Sequence, residues 1–393
     1  SSDVCSSDLS FTPVAVAEDL LVDLSALSTV GDVDRLTGEV EVGAGITIAA
    51  LNEELAKQGR ALANLGDIAY QSIAGAISTS THGTGIGLTG IAGQVTALSL
   101  VTGNGEVRRL SGADDPVEFR AARVSVGTLG VITSVRLRTV PAFTLAAREE
   151  PMKVDTIIDR LDDFVTQNDH FEFFWIPHTK WALTKRNNRT DDPPRPMSGV
   201  RHWWQKSFLE NTAFGLVCKV GRARPSLIPK LATALPSSGS VEYSDASHRI
   251  FASPRRVKFL EMEYSIPYEA CGEALNRVRR LIDERGFKIS FPVEVRFTAG
   301  DDAYLSTSTG RRSAYIAVHM FKGMDHRDYF NGVEAIMGDY AGRPHWGKMH
   351  GLDAERLAAV YPEWASFGEV RRRFDPDGTF LNAHVGSLFG ARR

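Results

Sequence analysis

The most informative stretch of this chain is NLGDIAYQSIAGAISTSTHGTGIG, which covers residues 64–87. Asp67 and His82 are its ionisable side chains near neutral pH, and it is otherwise rich in serine, threonine and glycine. Hydroxyl groups and the backbone N–H groups of glycine-rich turns can approach a bound anion closely. An ordinary glycine-rich loop beneath a sheet is the alternative, and the stretch by itself leaves both open.

Short β-type runs separated by glycine turns lie on both sides of this stretch. One helix is clear: apolar residues recur at helical spacing from Ile48 to Ala56, and Gly59 provides a stop. The first half is therefore predicted to mix helices and strands, with turns pinned by glycine. Its predicted strands are Leu20–Leu24, Glu39–Val42, Ala97–Val101 and Val131–Leu137.

The second half changes character after residues 141–151, where two prolines mark a boundary. The aromatic run Phe171–Trp175 is typical of a strand, and the polar, proline-rich residues 187–200 predict a loop. The order helix–strand–strand–helix further on predicts an antiparallel sheet with helices on it. The predicted strands are Phe259–Ile266, Ile289–Phe297 and Tyr315–Phe321, and the helical segments are Phe208–Leu235, Ala270–Arg285, Arg327–Tyr340 and Leu357–Phe374.

Length and composition exclude several classes of protein. The 393 residues, 43% of them hydrophobic, suffice for two to three domains at roughly 150 residues each. A net charge of −3 argues against a nucleic-acid partner or a basic membrane-binding patch. Apolar runs fall short of the about 20 residues that span a bilayer, and no signal peptide is recognisable. The three cysteines (Cys5, Cys218 and Cys271) are too few and too scattered for a disulfide scaffold or a cysteine zinc site. We expect a protein that is cytoplasmic or peripheral to a membrane.

Two familiar motifs occur in unsuitable settings. Gly85–Gly90 fits the dinucleotide pattern G-x-G-x-x-G, but a polar stretch precedes it where a Rossmann fold requires an apolar strand. Residues 342–348 fit the first seven positions of a P-loop, but Met349 replaces the hydroxyl residue that binds magnesium. Neither motif therefore predicts a nucleotide site of its usual kind.

Two strands of the second half carry a polar face. Apolar side chains in residues 291–297 alternate with Glu294 and Arg296, and His319 lies on the alternate face of residues 315–321. A solvated salt bridge worth under ~1 kcal/mol is the alternative. A face turned into a cleft would let arginine clamp an anion or hydroxyl and glutamate accept a hydrogen bond. If the strands are neighbours, the three polar residues line one surface.

A third candidate is the compact cationic turn His345-Trp-Gly-Lys348. Taken alone, Lys348 is typical of a surface lysine. His345 and His350 are five residues apart, a spacing that does not place them on one helical face. No metal site is therefore predicted.

A set of short segments occurs in a fixed order from Ser10 to Gly378. They are Ser10-Phe-Thr-Pro13, Asn64-Leu-Gly66, Ile73-Ala-Gly75, Thr79-Ser-Thr-His82-Gly-Thr-Gly85, Gly130-Val-Ile-Thr133, Glu261-Met-Glu-Tyr264, Glu294-Val-Arg296, Arg343-Pro-His-Trp-Gly-Lys348 and Phe374-Asp-Pro-Asp-Gly378. Together they resemble the sugar-1,4-lactone and alditol oxidoreductases, which are vanillyl-alcohol-oxidase-type flavoproteins and include gulonolactone, arabinonolactone and alditol oxidases. The set is specific, although no single segment is.

The resemblance implies an α+β fold with FAD as cofactor. An FAD-binding domain of the vanillyl-alcohol-oxidase (PCMH) type is followed by a substrate cap domain with an antiparallel sheet, and the C-terminal segment returns to the flavin. The implied division is an atypical, foreign-looking terminus at 1–9, an FAD-binding domain at 10–142 without its N-terminal part, a cap domain at 143–340, and the returning segment at 341–393.

The resemblance also implies the site residues, position by position. Ile132 would bind FAD through its backbone, and His345 would lie beside the flavin. His319 is the candidate base, because an unperturbed histidine titrates near neutrality. The implied FAD-binding residues are Gly66, Ser72, Gly75, Thr79, Ser80, Thr81, His82, Ile132 and His345. The implied substrate-binding and catalytic residues are Asp67, Glu294, Arg296 and Lys348, together with His319.

The implied activity is oxidation of a CH–OH group of a sugar-1,4-lactone of the gulono- or arabinono-lactone type. Hydride passes to flavin N5, and O2 or another acceptor takes the electrons. Asp67 stands where some relatives have a substrate-contacting serine, and Phe321 where alditol oxidases have a threonine, so a lactone is favoured over an alditol. Gly66, without a Cβ, mildly favours an oxidase over a dehydrogenase. The alternatives are an alditol oxidase, a truncated non-catalytic sugar-binding fragment, and a Rossmann NAD(P) enzyme.

The N-terminal residues depart from the family pattern. Ser1–Leu9 read SSDVCSSDL, and Asp8-Leu9 stands where the family has Gly-His, whose histidine often bonds FAD covalently. The family's preceding strand–helix–strand with its pyrophosphate loop does not occur in this sequence. We expect an incomplete sequence whose natural parent binds FAD, and a chain that binds FAD weakly or not at all. Full flavin stoichiometry in the purified chain would contradict that expectation.

Overall fold

The computed structural model describes residues 10–17, 19–202, 211–234, 239–252 and 257–390, so the predicted atypical terminus lies outside the described residues. The strands are β1 (Glu39–Gly43), β2 (Arg60–Ala61), β3 (Val95–Val101), β4 (Val107–Ser111), β5 (Val131–Arg138), β6 (Val140–Pro141), β7 (Thr144–Lys153), β8 (His170–Trp175), β9 (Trp181–Thr190), β10 (Val241–Ala246), β11 (Phe259–Pro267), β12 (Val293–Thr298), β13 (Ser313–Phe321) and β14 (Arg343–Pro344). The α-helices are α1 (Ile48–Lys57), α2 (Ile73–Ser78), α3 (Pro116–Ala122), α4 (Val154–Asp159), α5 (Leu161–Thr166), α6 (Gly199–His202), α7 (Phe214–Ala223), α8 (Ile228–Thr233), α9 (Ser247–Phe251), α10 (Cys271–Arg285), α11 (Arg327–Gly338), α12 (Ala354–Val360), α13 (Trp364–Phe374) and α14 (Ala383–Leu388).

The first half forms a four-stranded sheet in the order β1-β5-β3-β4, with antiparallel pairing throughout. Helix α1 begins at Thr47, whose hydroxyl accepts a hydrogen bond from the N–H of Ala50. Leu51 and Leu55 of this helix are buried in the core, as their helical spacing predicts. The predicted stop, Gly59, has a φ of +68° in the left-handed region that glycine tolerates.

The predicted strand Leu20–Leu24 is wrong. This segment is irregular, and several of its side chains are exposed. Residues 27–31 lie along the edge of β1 instead, and the N–H of Gly31 donates to the carbonyl of Glu41 (3.0 Å). An apolar run forms a strand only where a sheet edge is open to it, and this edge is already occupied.

The second half forms an eight-stranded sheet in the order β10-β7-β9-β8-β12-β13-β11-β14, again antiparallel. The predicted α+β class is therefore confirmed, and a doubly wound parallel fold is excluded for the described residues. The motif Gly85–Gly90 leads into the short 3-10 helix Ile91–Gln94, as expected of a coincidental match. One face of this sheet packs on α10 and α11, where Tyr264 donates to Glu334 (2.5 Å). Among the described residues, none of the helices combines the length and the apolar character needed to cross a bilayer.

Prolines explain most of the remaining differences from the predicted elements. The predicted tail helix Leu357–Phe374 is two helices, α12 and α13, and Pro362 lies in the gap between them. The predicted strand Ile289–Phe297 begins later, at Val293 after a proline. The predicted loop 187–200 is wrong at its start, because β9 pairs with β7 as far as Thr190.

The segment predicted as largely helical, Phe208–Leu235, is helical in α7 and α8, which Pro225 and a short 3-10 turn separate. Residues 208–210 and 235 lie outside the described residues. The other predicted helices and strands of the second half occur within a few residues of their predicted ends.

Candidate active site

The face of the eight-stranded sheet that points away from α10 and α11 carries the charges. Strand pairing brings Glu261 opposite His319, and Arg296 opposite Tyr315. The same pairing aligns Glu172 of β8 with Lys185 of β9. Successive side chains along a strand point to opposite faces of the sheet. The apolar residues that alternate with these charged residues therefore enter the core, and the charged side chains share the other face. The predicted alignment of Glu294, Arg296 and His319 on neighbouring strands is therefore observed.

Arg296 lies at the centre of a cage of carboxylates. Its Nε donates to Glu172 Oε2 (2.8 Å), and its Nη2 pairs with Glu294 and lies 3.5 Å from Asp67 Oδ1. Lys185 Nζ lies 3.3 Å from the other oxygen of Glu172. All these groups except Asp67 are buried, so the salt bridge is not the solvated surface pair that the sequence left open.

Burial alone would lower the pKa of Arg296, but Glu294, Glu172 and Asp67 outweigh it and raise that pKa well above its ordinary value. Burial likewise opposes charge on Glu172, and the cations Arg296 and Lys185 nevertheless lower its pKa. The cage therefore keeps the guanidinium of Arg296 and the carboxylate of Glu172 ionised although both are buried.

Lys348 reaches the same face from the C-terminal segment. The segment runs beside β11, where the N–H of His345 donates to the carbonyl of Glu263 (3.0 Å) and that of Met349 to Glu261 (2.9 Å). Lys348 Nζ donates to the side chain of Glu261. Burial opposes the charge of this ammonium group, but Glu261 and Glu263 raise its pKa. Lys348 is thus a partly buried cation in an ion pair with Glu261, and not the surface lysine that its sequence context alone suggests.

Acid should weaken the fold through Glu261. Burial would raise its pKa, but Lys348 and His319 lower it from 4.5 to about 2. The ionised group therefore stabilises the fold above its ordinary pKa, and this stabilisation is lost as the pH falls from 4.5 through about 2. We expect the free energy of unfolding to fall by on the order of 3 kcal/mol across that window. Urea unfolding at a series of pH values measures it.

The Glu261→Gln variant is the control for this effect. It lacks the carboxyl group that titrates, so its free energy of unfolding should change less between pH 5 and pH 3 than that of the unsubstituted chain. Identical slopes in the two proteins would contradict the role given to Glu261.

The hydroxyl-rich residues 64–87 include helix α2 and the segments on both sides of it. Ser72 caps this helix by accepting from the N–H of Gly75 (3.2 Å), and Thr79 donates to the carbonyl of Gly75 (2.9 Å) at its end. Gly75 is exposed, and both hydroxyl residues are partly exposed. The C-terminal turn packs against this stretch, since a Cβ built on Gly347 would lie 3.7 Å from Thr79 Cβ.

The end of the stretch meets the charged face directly. His82 stacks on Tyr315 with ring centroids 3.6 Å apart, and its Nε2 lies 3.4 Å from Glu263 Oε1. Ser80, held at a φ of +62°, bonds to Thr307 (3.1 Å). With the Asp67–Arg296 contact, these interactions join the glycine- and hydroxyl-rich segment of the first half to the charged face of the second.

Most of the predicted site residues therefore cluster, and some do not share the charged face. Ile132 lies in β5 of the smaller sheet, opposite Leu100, with its side chain in the core. Ser72 and Gly75 lie at the start of α2, on the hydroxyl-rich side. Two surface cavities of about 220 and 490 Å³ lie elsewhere, beside Trp364 and Trp175.

Four charged residues of the face were not assigned a role from the sequence: Glu172, Lys185, Glu261 and Glu263. The signal for Glu172 was present, because a single carboxylate between phenylalanines in an aromatic strand is anomalous. Glu261 and Glu263 alternate with apolar residues within a segment that carries the family resemblance. Lys185 lies within the polar run of residues 184–190 and carries no such signal.

Comparison with known proteins identifies the family. Residues 135–388 match the family model described as D-arabinono-1,4-lactone oxidase. The chain belongs to this family. Residues 4–111 match a second model, described as an FAD binding domain. An L-gulono-1,4-lactone dehydrogenase of Mycobacterium tuberculosis is 45% identical over 97% of this chain and 88% of its own length. The L-gulonolactone oxidase of Bos taurus is 33% identical over 96% of this chain and 87% of its own length.

The fold is that of the implied flavoproteins. A cholesterol oxidase from Brevibacterium sterolicum superposes with a TM-score of 0.78 over 97% of this chain and 88% of its own, at 19% identity. The predictions of an α+β flavoprotein fold and of an FAD-dependent oxidoreductase of the sugar-lactone family are confirmed. FAD is the cofactor.

The residues present suit FAD. Residues 68–82 offer hydroxyl groups and contain no carboxylate, which fits the negative charge of a pyrophosphate. Backbone also approaches backbone closely here, because a Cβ on Gly83 would lie 2.1 Å from the carbonyl oxygen of Leu65. The predicted FAD-binding residues Ser72, Gly75 and Thr79 would hold the cofactor on this side.

Proposed function

We propose that this chain oxidises a CH–OH group of a sugar-1,4-lactone, with FAD as hydride acceptor. The observation that carries the proposal is the convergence of buried Arg296, partly buried Lys348 and His319 on one face. The glycine- and hydroxyl-rich segment meets this face at Asp67 and His82. When bound, FAD takes the hydride that leaves the substrate carbon.

Arg296 and Lys348 bind the oxygens of the substrate in this proposal. Their charges are already fixed by Glu294, Glu172 and Glu261, so little reorganisation accompanies the reaction. Glu294 orients a substrate hydroxyl by accepting its hydrogen bond. When FAD is bound, the two cations would also stabilise negative charge that develops on it.

His319 takes the proton of the hydroxyl that is oxidised. Its Nδ1 donates to the carbonyl of Pro292 (3.1 Å), which leaves the lone pair of the neutral ring on Nε2. Nε2 lies 3.4 Å from Glu261 Oε1, where a carboxylate stabilises the imidazolium that forms. His319 would thus receive the hydroxyl proton while bound FAD supplies the acceptor for the two electrons of the C–H bond, and the CH–OH group would become a carbonyl.

A lactone is favoured over an alditol by two positions. Phe321 ends the face of β13 that carries His319, and it is buried against Phe291 and Cys218. Asp67 faces Arg296.

A substrate panel tests the proposal: with FAD added, L-gulono- and D-arabinono-1,4-lactone should reduce an artificial acceptor much faster than xylitol or sorbitol. Faster oxidation of the alditols would support the alditol oxidase alternative.

The electron acceptor is O2 in this proposal, and it depends on Gly66. The named relatives include both a dehydrogenase and an oxidase. A Cβ on Gly66 would lie 3.1 Å from the carbonyl oxygen of His82, so even one methyl group fills the available space. We expect Gly66→Ala to lower O2-dependent turnover at least fivefold relative to turnover with an artificial acceptor.

Gly87→Ala is the matched control, because nothing lies within 4 Å of a Cβ built there. It should leave the ratio of the two turnover rates unchanged. A Gly66→Ala variant with the ratio of the unsubstituted chain would remove Gly66 from the reaction with O2.

The described cysteines, Cys218 and Cys271, are free and buried. Burial raises the pKa of Cys218 to about 11 and that of Cys271 to about 12, so both remain thiols. These free thiols support the proposal of a reducing, cytoplasmic setting.

A further inference from the structure

His82 and His319 make the same pair of contacts at neighbouring positions of the site. Each ring directs Nδ1 at a backbone carbonyl, that of Gly83 (2.9 Å) for His82 and that of Pro292 (3.1 Å) for His319. A carbonyl only accepts, so Nδ1 carries a proton in both rings. Each Nε2 then lies 3.4 Å from a glutamate oxygen, Glu263 for His82 and Glu261 for His319.

A neutral ring of this tautomer would place a lone pair against a carboxylate. That contact is unfavourable for two acceptors buried in a low dielectric, unless a cation lies nearby. At Glu261 the cation is Lys348, whose ammonium group donates to the second carboxylate oxygen. His319 can therefore stay neutral, as its role as a base requires.

Glu263 has a different environment. His82 is its ion-pair partner, and a ring nitrogen of His345 lies within 4.8 Å of the ligand atoms of both. His345 is neutral, because burial first and the nearby Lys348 and His82 next lower its pKa to about 3, against the opposing pull of Glu263 and Glu261. Lys348 also lies near Glu263, but its ammonium group donates to Glu261, so the positive charge in direct contact with Glu263 comes from His82 or from a bound metal ion.

The hydrogen bonds of the two histidines argue against a metal. Nδ1 of His345 accepts from the N–H of Gly347 (3.1 Å), so the proton of this neutral ring lies on Nε2. Neither nitrogen of His345 is then available to bind a metal ion. The remaining ligands would be Nε2 of His82 and the carboxylate of Glu263, and the cation Lys348 lies near them. A stable zinc site requires three or four.

We infer that His82 carries a proton on each ring nitrogen, with Gly83 and Glu263 as the acceptors, while His319 is the neutral base. Glu263 is the positioning residue of this pair, because it holds the second proton on Nε2 of His82. The groups that face His82 are Glu263, the ring of Tyr315, His345 and the carbonyl of Gly83, with Lys348 as a further charge near Glu263.

The inference deepens the proposed function, and its consequence for catalysis rests on that function. Two histidines of similar geometry would otherwise compete for the proton of the substrate. Because His82 already carries both protons, only His319 can accept one. A positive charge at His82 would also add to those of Arg296 and Lys348 in stabilising negative charge on bound FAD.

Side-chain NMR of the histidines tests the assignment without turnover. The chain is labelled with 15N-histidine, and ring spectra are recorded with and without added FAD at pH 7.5. His82→Gln and His319→Gln identify the two resonances among the ten histidines. We expect His82 to show two protonated ring nitrogens, and His319 to show the neutral form protonated on Nδ1.

Two substitutions should move the protons in opposite ways. Glu263→Gln should convert His82 to the neutral Nδ1–H form, and Lys348→Met should convert His319 to the imidazolium because Glu261 loses its cation. Glu53→Gln is the matched control: it removes the carboxylate beside the partly exposed His248 and should change neither resonance.

A neutral His82 in the unsubstituted chain would overturn the inference, and this spectrum decides even if Glu263→Gln does not fold. Stoichiometric Zn²⁺ binding that shifts His82 and His345 together would overturn it in favour of a metal site. Failure of the proposed function is recognised separately, because a chain that oxidises no lactone still gives the histidine spectrum.

Discussion

Arg296→Met is expected to lower the free energy of unfolding by about 3–5 kcal/mol and to slow lactone-dependent FAD reduction at least tenfold. The stability loss follows because Glu294 and Glu172 would remain buried without the guanidinium that balances them. The rate loss follows because a charge-assisted contact to substrate is worth roughly 1.5–3 kcal/mol. Urea unfolding and stopped-flow absorbance measure the two effects.

Two further variants separate these effects. Arg296→Met combined with Glu172→Gln removes one unbalanced carboxylate, so stability should partly recover while the rate of FAD reduction stays low. Arg186 lies on β9, which β8 separates from the strand of Arg296, and Arg186→Met disrupts a partly exposed pair with Glu150 away from the charged face. It should leave the rate unchanged. An unaltered reduction rate in Arg296→Met would remove this arginine from the mechanism.

Lys348→Met is expected to slow lactone-dependent FAD reduction at least tenfold, by the same loss of a charge-assisted substrate contact. The variant also leaves Glu261 without its ammonium partner, so a loss of stability accompanies it. Lys348→Met combined with Glu261→Gln keeps the charge of the site balanced. The double variant should unfold at nearly the urea concentration of the unsubstituted chain while it still reduces FAD slowly.

A structural role alone predicts the opposite for that double variant. If Lys348 acts only by balancing Glu261, the rate of FAD reduction should recover together with stability. Recovery of both would contradict the assignment of Lys348 to substrate binding.

The predicted elements are most accurate where local pattern and tertiary packing agree. The apolar residues that recur at helical spacing in α10 are buried, and the helix is capped at its C-terminus by Gly286, whose φ is +65°. The predicted strand Leu20–Leu24 failed because residues 27–31 occupy the sheet edge that it needed, which no local pattern reveals. The split of the tail helix was visible in the sequence, since Pro362 cannot continue a helix.

The candidate site could be predicted only in part. Alternation identified the faces of Glu294 and Arg296, and the family resemblance added Lys348 from a distant segment. The partners that fix these charges, Glu172 and Glu263, come from strands whose neighbours cannot be deduced from spacing. Which charged residues pair across an antiparallel sheet depends on the order of its strands, and that order is known only from the structure.

The most direct test of the proposed lactone oxidation is an anaerobic absorbance spectrum of the chain with FAD, recorded before and after addition of L-gulono-1,4-lactone. We expect loss of the visible absorbance of oxidised flavin, at a rate that Arg296→Met lowers at least tenfold. Xylitol should leave the spectrum nearly unchanged over the same time. A flavin bound by this chain that stays oxidised with both gulono- and arabinono-lactone would contradict the assignment as a sugar-lactone oxidoreductase.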